Sequence, residues 1–316
     1  MRTRKSLLSV AITLLSAAAI VGCGSSSSSS SSATSSAAPA ATGTSSATTS
    51  SAAAGSNAAV AALVPSSIKS KGTLTVAADA SYAPNEFFAP DGHTVIGMDA
   101  DLSKAIATLM GLKANVVNAT FDGIIPGLAA GKYDMGASSF TDTKARQKVV
   151  NFVTYFNAGT SFITKASGGT NVSGLADLCG KTVAVEKGTT EETDATGQSA
   201  KCKSAGKPGV TVLTFPDQNG ANLALSSGRA QLVMADSPVA SYAVKKSNGQ
   251  FKLVGTTYGT APYGLALPKN TGLAPSVLAA VKLLIHNGTY AQIMSKWGLQ
   301  AGAIPASKVV INGATS

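Results

Sequence analysis

Two charged side chains could bind the two ends of one small ligand. Arg146 carries a planar guanidinium, and such a group binds a carboxylate through two parallel hydrogen bonds. Asp236 follows the apolar run at residues 232–235, so its carboxylate stands at a strand end, where it could accept from an ammonium group. Residue type alone leaves both roles open. Arg146 also fits a solvated surface position beside Lys144 and Lys148, and Asp236 also fits a cap or turn acceptor.

The rest of the composition argues against most catalytic and metal chemistry. The chain has two His and three Cys, and no Ser-His-Asp set, paired-carboxylate motif or metal-ligand cluster stands out. His93 lies in a turn and His286 near a helix end, where each fits a surface position. There is no phosphate-binding glycine loop or dinucleotide fingerprint. We therefore expect a protein that is not an enzyme, with no catalytic residue, no metal and no cofactor.

The net charge is a property of the surface rather than of a nucleic-acid site. The chain has 25 Lys and Arg against 15 Asp and Glu, a formal charge of +10. No dense basic block with interleaved aromatic residues is present, so we expect no nucleic-acid partner.

Short β-type runs alternate with helical runs from residue 71 onward. Strands are predicted at residues 74–78, 182–185 and 232–235, with helices at 275–286 and 290–297. This alternation is typical of the α/β class with parallel sheets. In open sheets of this class, ligands bind beyond the carboxyl ends of the strands. The residues that directly follow strands are therefore the candidate site.

The amino terminus predicts an exported protein. Arg2, Arg4 and Lys5 precede an apolar run at residues 7–21, which is too short for the ~20 residues that span a membrane. This pattern is typical of a secretory signal, here residues 1–22. The sequence that ends at Cys23 resembles the bacterial lipobox, in which the cysteine is lipidated. We expect a protein anchored by lipid on Cys23 to the outer face of the cytoplasmic membrane.

Residues 23–65 are predicted to be the lipidated cysteine and a disordered tether. Residues 24–62 are Ser, Ala, Thr and Gly with few other types, and they contain no charge and no aromatic residue. Such a composition buries too little apolar area to fold. The globular part is therefore expected to begin at residue 66.

Cys179 and Cys202 are predicted to form a disulfide. Both lie in the exported part of the chain, where an even pair of cysteines is more often bridged than free. No His or third Cys lies near them in sequence, which disfavours a metal site.

An ordered series of motifs resembles the polar amino-acid-binding proteins of ABC importers. The motifs run from about residue 71 to 298, in the order and at the spacing of that family. They are Asp79-Ala80-Ser81-Tyr82-Ala83-Pro84-Asn85-Glu86-Phe87, Gly97-Met98-Asp99-Ala100-Asp101-Leu102, Phe121-Asp122-Gly123-Ile124-Ile125-Pro126-Gly127-Leu128, the stretch 141–146, Val185-Glu186-Lys187-Gly188-Thr189-Thr190, Met234-Ala235-Asp236-Ser237-Pro238, and Asn287-Gly288-Thr289-Tyr290 with Lys296-Trp297-Gly298. Two departures stand out: Asn85 replaces the family's usual Phe, and Ser138-Ser139 replaces its common Ser-Gly.

The resemblance implies a two-lobe fold of the periplasmic-binding-protein type (type II), with two hinge strands and a ligand cleft between the lobes. Lobe 1 would be residues 66–158 and 262–306, lobe 2 residues 159–261, and residues 307–316 a tail. The hinges would lie near residues 157–162 and 255–262. The implied partners are an amino acid and the transmembrane subunits of an ABC permease, and we expect a monomer.

The resemblance also implies roles in the cleft. Arg146 would bind the ligand's carboxylate and Asp236 its ammonium. Further contacts to main-chain groups would come from the hydroxyl residues, namely Ser138, Ser139, Thr141, Thr189 and Thr190. Tyr82 and Phe121 would sandwich the ligand's side chain, although ordinary core packing is the alternative for both.

Two further acids bear on the ligand's side chain. Once Arg146 and Asp236 neutralise a zwitterion, Asp79 and Glu186 are left over, and two such carboxylates repel unless a cation sits between them. This predicts a basic ligand, namely arginine, lysine or ornithine. The alternative is that Glu186 points to solvent or pairs with Lys187, in which case glutamine or another neutral polar amino acid is expected. Glu191 is expected to be a solvated residue of a first helical turn, and a place at the rim of the pocket beside Thr190 is the alternative.

Two other classes of protein, an enzyme and a surface structural protein, remain open. Secreted dehydratases of cyclohexadienyl acids share this scaffold, so the fold does not exclude an enzyme. A surface structural protein would suit the tether, but tandem repeats are absent and the cleft motifs would be unexplained.

Overall fold

The computed structural model describes residues 55–314. The predicted signal, Cys23 and most of the predicted tether lie outside this range. The helices of the described part are α1 (Ala58–Ala62), α2 (Ser66–Lys71), α3 (Met98–Leu109), α4 (Phe121–Ala129), α5 (Thr190–Ser204), α6 (Gln218–Ser226), α7 (Ser237–Lys246), α8 (Ala274–His286) and α9 (Thr289–Trp297). Its strands are β1 (Thr73–Ala78), β2 (Ser81–Tyr82), β3 (Glu86–Phe88), β4 (Val95–Ile96), β5 (Lys113–Asn118), β6 (Met135–Gly136), β7 (Val150–Lys165), β8 (Thr182–Glu186), β9 (Thr211–Phe215), β10 (Leu232–Asp236) and β11 (Phe251–Pro268).

One mixed sheet of eight strands organises the protein, in the order β5-β1-β6-β11-β7-β10-β8-β9. Strands β5, β1 and β6 are parallel to one another, and so are β10, β8 and β9. The long antiparallel pair β7 and β11 joins these two blocks. We call the block around β1 the first lobe and the block around β8 the second lobe.

Strands β7 and β11 pair along most of their length, but the pairing shifts register between Val254 and Tyr258 and again between Tyr258 and Ala261. These irregularities fall in one of the two segments predicted to be hinges. A ladder with such shifts is less regular than a continuous one and bends more readily.

Helices cover both faces of the sheet in the second lobe. Residues of α6 and α7, such as Leu225 and Val239, pack with Ile163 and Val233 on one face. Leu178 and residues of α5 pack on the other face with Val183 and Val185. The Cys179–Cys202 disulfide joins the chain before β8 to α5, and the predicted bridge is thus confirmed. A larger apolar core in the first lobe lies around α3, α8 and α9.

The N-cap residue of helix α3 is Gly97, which has φ +125°. A Cβ at Gly97 would clash with the backbone carbonyl of Asn85, so the close approach of these two segments requires glycine. Asp99 is fully buried in the first turn of α3, where it takes part in the network described below.

Both ends of the described chain pack on the first lobe. Val60 and Val64 are each 3% exposed and belong to its core, so the predicted tether ends earlier than residue 65. The two valines stand in an Ala-rich stretch, where composition alone does not reveal that they are buried. At the other end, Val309 is fully buried, and Thr154 exchanges hydrogen bonds with Val310. The predicted tail is thus part of the fold through residue 314.

Across residues 55–314, no helix is both long enough and apolar enough to cross a membrane. Contacts within the chain place the described residues, 55–314, in one compact unit.

Candidate functional site

A pocket lies between the lobes, with about 280 Å³ of empty space that includes open solvent at its mouth. All eleven residues predicted to bind a ligand line it, together with Glu191. They are Asp79, Tyr82, Phe121, Ser138, Ser139, Thr141, Arg146, Glu186, Thr189, Thr190 and Asp236. Several of them stand at the carboxyl ends of parallel strands, with Asp79 after β1, Glu186 at the end of β8 and Asp236 at the end of β10. The sheet therefore gathers side chains that are far apart in sequence.

Arg146 is held in place by both lobes. Its Nη1 donates to the carbonyl oxygen of Thr141 at 2.8 Å, and its Nη2 donates to that of Gly188 at 3.0 Å. The guanidinium lies over the rings of Phe121 and Phe140, 5.3 and 5.5 Å from their centroids. The guanidinium is thus oriented by uncharged partners, which leaves its positive charge available to an anion in the cavity.

Asp236 is joined to Tyr82 across the cleft. The Tyr82 hydroxyl donates to Asp236 Oδ2 at 3.0 Å and accepts from the Asp236 amide at 3.0 Å. Burial raises the pKa of Asp236 well above its ordinary value, and the nearby carboxylate of Glu191 raises it further. A cation in the cavity would counter both effects, so this position favours an ammonium group.

Phe121 stacks on Phe140 at a centroid distance of 4.5 Å and forms the aromatic floor under Arg146. Tyr82 is 6% exposed. Both rings therefore line the pocket and are also packed in the interior.

Asp79 is held by backbone donors. Its Oδ1 accepts from the Ser81 amide at 3.1 Å and its Oδ2 from the Phe121 amide at 3.0 Å. Burial raises the pKa of Asp79, while these hydrogen bonds act in the opposite direction and favour the ionised form. The carboxylate is therefore fixed at the cavity wall.

Glu186 is 2% exposed, and its Oε1 atom is buried with no hydrogen-bond partner in the described structure. Lys187 does not pair with it, because the Lys187 ammonium lies 2.8 Å from Asp122 instead. Both alternatives for Glu186, solvent exposure and pairing with Lys187, are wrong. Burial raises the pKa of Glu186 well above its ordinary value, and Asp79 and Glu191 raise it further.

The start of α5 completes the wall in the second lobe. Thr189 is the N-cap residue, and its hydroxyl accepts from the Glu192 amide. Glu191 is 2% exposed, so the expectation that it is solvated is wrong. Its carboxylate accepts from the hydroxyls of Thr160 at 2.7 Å and Thr190 at 3.1 Å, which explains how the first turn of α5 can carry an inward-facing acid.

A layer of polar residues lies behind the cavity. Ser138 and Ser139 donate from their hydroxyls to the two carboxylate oxygens of Glu86. Ser139 has φ +50°, a left-handed conformation that glycine adopts more readily. Its amide donates to Asp99 at 2.8 Å, and these bonds explain how serine is accommodated where the family commonly has glycine.

Asn85 occupies this same layer. Its Nδ2 atom donates to the Ser139 hydroxyl at 2.9 Å, so the residue that replaces the family's usual Phe supports the cavity from behind. Sequence reasoning did not assign Glu86 or Asp99 to the site, since both act through the serines rather than at the cavity wall.

A family model for bacterial extracellular solute-binding proteins, family 3, matches residues 74–300. The chain belongs to this family. The resemblance drawn from the motifs is thus confirmed, and so is the two-lobe type II fold.

Relatives of this solute-binding protein include arginine-binding protein ArgT of Corynebacterium glutamicum. It is 37% identical over 246 residues, which are 78% of this chain and 80% of ArgT. A solved structure of an ancestral arginine-binding protein bound to glutamine has a TM-score of 0.67 and 37% identity, covering 72% of this chain and 99% of that one. The ancestral amino acid-binding protein AncCDT-1, a precursor of cyclohexadienyl dehydratase, has a TM-score of 0.66 and 34% identity, covering 73% and 97%. The family description and the curated relatives name binding proteins, so the chain is a binding protein and not an enzyme.

The charge balance of the cavity decides what this solute-binding protein can hold. Four carboxylates and one guanidinium line it, namely Asp79, Glu186, Glu191 and Asp236 against Arg146. No group of three or more His, Cys, Asp or Glu side chains between residues 55 and 314 is arranged to hold a metal ion. Acidic side chains thus outnumber basic ones in the lining of this pocket by four to one.

Proposed function

We propose that this solute-binding protein is the extracytoplasmic receptor of an amino-acid ABC importer, and that it binds a basic L-amino acid such as arginine, lysine or ornithine. The observation that carries the proposal is the set of four acidic side chains that line one pocket with a single guanidinium. Relatives named as arginine-binding proteins support it.

Each group of such a ligand has a partner of the right chemistry. The α-carboxylate would bind the free face of the Arg146 guanidinium, and the α-ammonium would bind Asp236. The cationic end of the side chain would lie against Asp79 and Glu186, since these two acids come from opposite lobes and a positive charge between them relieves the repulsion of their ionised forms.

Closure of the lobes would couple binding to recognition by the permease. Bonds between the lobes, such as Tyr82 to Asp236 and Arg146 to Gly188, exist only when the cleft is closed. A ligand that bridges the lobes favours the closed form by its differential affinity for it, and the closed form presents a surface that the open form lacks. The permease would receive the ligand from that form.

A thermal-shift and calorimetric panel tests the ligand class on residues 50–316. Arginine, lysine and ornithine are expected to raise the melting temperature, since a ligand at 100 times its Kd stabilises by ~2.7 kcal/mol. Agmatine, which has the guanidinium of arginine but no carboxylate, is the matched control and is expected to give no shift. A response to glutamine alone would overturn the basic ligand and leave the receptor. If no amino acid raises the melting temperature, both the basic ligand and the amino-acid receptor function are wrong.

The membrane anchor is a separate part of the proposal. It rests on the apolar run at residues 7–21 followed by Cys23. In a bacterial host, the unaltered chain is expected in the membrane fraction, whereas Cys23→Ser should leave it free of lipid. Equal partition of both forms would overturn the anchor.

A further inference from the structure

Glu186 differs from the other acids of the pocket because no described residue donates a hydrogen bond to its carboxylate. Asp79 accepts from two backbone amides, Glu191 accepts from two threonine hydroxyls, and Asp236 accepts from Tyr82. Glu186 Oε1 has no partner within the described residues, although the side chain is 2% exposed. A buried carboxylate without donors is costly to ionise.

Neither Lys187, the next residue in the chain, nor Arg146, in the same pocket, donates a hydrogen bond to Glu186 in the described structure. Lys187 Nζ lies 2.8 Å from Asp122 Oδ2, on the far side of the cleft. Arg146 donates to the carbonyls of Thr141 and Gly188. The charged groups that act on Glu186 are acids, namely Asp79 after β1, Glu191 in α5, Asp217 at the N-cap of α6 and Asp236 at the end of β10.

We infer that the Glu186 carboxyl carries a proton when the cavity closes on an uncharged amino acid and is ionised when it closes on a cationic one, so that pH sets the preference between the two. This inference deepens the proposed function and rests on it. The raised pKa of Glu186, caused first by burial and then by Asp79 and Glu191, agrees with it.

Each type of ligand would supply Glu186 with hydrogen-bond partners that it lacks, and the type of partner decides which protonation state is favoured. A guanidinium or ammonium group supplies both donors and a positive charge, so the ionised carboxylate is favoured beside it. A neutral amide or ureido group supplies donors and acceptors without charge, and the protonated carboxyl can donate to its oxygen. The proton comes from solvent as the lobes close and returns there when they open.

Comparing the affinities of two ligands separates the protonation of Glu186 in the two complexes from any protonation of the unliganded protein. The ratio of two affinities compares only the two complexes, because the free protein is common to both. Where the neutral complex holds one proton more than the cationic complex, the ratio changes up to tenfold per pH unit. Acidification therefore favours the neutral ligand.

Arginine and citrulline are the matched pair for the test, since they have nearly the same shape and differ in a guanidinium against a ureido group. Calorimetry on residues 50–316 between pH 5 and 8 gives both Kd values, and buffers of different ionisation enthalpy give the number of protons taken up. The ratio of the citrulline Kd to the arginine Kd is expected to rise with pH, with up to one proton taken up on binding citrulline. In Glu186→Gln, which keeps the size of the side chain, the slope and the uptake are expected to disappear.

The outcomes separate this inference from the proposed function. A ratio that does not change with pH, with arginine still bound, overturns the role of Glu186 and leaves the basic-ligand receptor. A slope that survives Glu186→Gln but is lost in Asp79→Asn places the proton on Asp79 and also overturns it. Failure of arginine to bind, while a neutral amino acid binds with a proton taken up through Glu186, overturns the basic ligand and supports the proton on Glu186.

Discussion

Lys187 Nζ lies 2.8 Å from Asp122 Oδ2 and ties the second lobe to the first at the exposed edge of the cavity. Lys187 directly follows Glu186, and Asp122 directly follows Phe121, so each partner is the neighbour of a residue that lines the cavity. The next residue, Gly188, has φ +80°, and a Cβ there would come within 3.0 Å of Asp122 Cβ. The lobes thus approach each other closely where this ion pair forms.

The ion pair is expected to stabilise the closed form by a small amount. Its hydrogen bond lowers the pKa of Asp122 and raises that of Lys187, but the Lys187 side chain is 60% exposed. Exposed pairs contribute little, so Lys187→Met or Asp122→Asn should weaken ligand binding by no more than about fivefold. Calorimetry at low and high salt measures this, and the loss should shrink as salt rises.

The double variant tests whether Lys187 and Asp122 affect binding through their contact with each other. If the two residues act through each other, Lys187→Met with Asp122→Asn should bind about as well as either single variant. Losses that simply add would show that the pair does not hold the lobes together.

Arg146 is expected to matter for binding far more than for folding. Arg146→Ala removes two charge-assisted hydrogen bonds to the ligand's carboxylate, each worth ~1.5–3 kcal/mol, so the affinity should fall by roughly a hundredfold or more. Arg146→Lys keeps the charge but loses the fork, and it should recover only part of the affinity. The melting temperature of the unliganded protein should barely change, because Arg146 bonds only two carbonyls that can be solvated. If Arg146→Ala keeps the affinity of the wild type, Arg146 does not bind the carboxylate of the ligand.

The residues that follow strands could be placed from the sequence because the fold class alone puts them at one edge of the sheet. Asp79, Glu186 and Asp236 each end an apolar run, and an ordered set of motifs supplied the register of the two lobes. Their position depends on local pattern and chain order, both of which a sequence contains.

Glu191 could not be placed in this way, since its inward orientation depends on a contact with Thr160 across the fold. The partners are 31 positions apart, and a first-turn Glu in isolation is most simply solvated. Glu86 and Asp99 were missed for a related reason: they contact Ser138 and Ser139 from behind, and acids in ordinary helix or strand positions give no signal of such a network. The burial of Val60 and Val64 likewise depends on the surface of the first lobe that receives them.

The disulfide is expected to stabilise the second lobe without affecting binding. Cys179 and Cys202 are 23 positions apart, and closing a loop of that size stabilises by about 3 kcal/mol. Reduction of the wild type, or the double change Cys179→Ser with Cys202→Ser, should lower the melting temperature on the order of 5–10 °C. Neither cysteine lines the cavity, so the Kd should stay the same. A reductant should have no further effect on the double variant, and an unchanged melting temperature in reduced wild type would contradict the prediction.

Glu86 and Asp99 form a buried pair of acids behind Ser138 and Ser139. Asp99 accepts from the Tyr155 hydroxyl at 2.7 Å and from the Ser139 amide at 2.8 Å. Burial raises the pKa of Asp99 to about 6, and burial together with Asp99 raises the pKa of Glu86 well above its ordinary value. A hydrogen bond between the two acids raises the pKa of Glu86 and lowers that of Asp99, which makes Glu86 the protonated donor of the pair.

This arrangement predicts opposite results for the two amide variants. The native state holds more protons than the unfolded chain wherever a native pKa is raised, so the free energy of unfolding should fall as pH rises from about 4 through 6 and beyond. In Glu86→Gln the amide donates to Asp99 as the protonated acid does, so the fold should be kept and the loss of stability with rising pH reduced. Asp99→Asn replaces one acceptor by a donor and leaves Tyr155 or the Ser139 amide unpaired, at a cost of ~1–3 kcal/mol. Urea denaturation between pH 4.5 and 8 measures both. If Glu86→Gln is instead the less stable of the two variants at pH 7, Glu86 is ionised in the native protein and does not donate to Asp99.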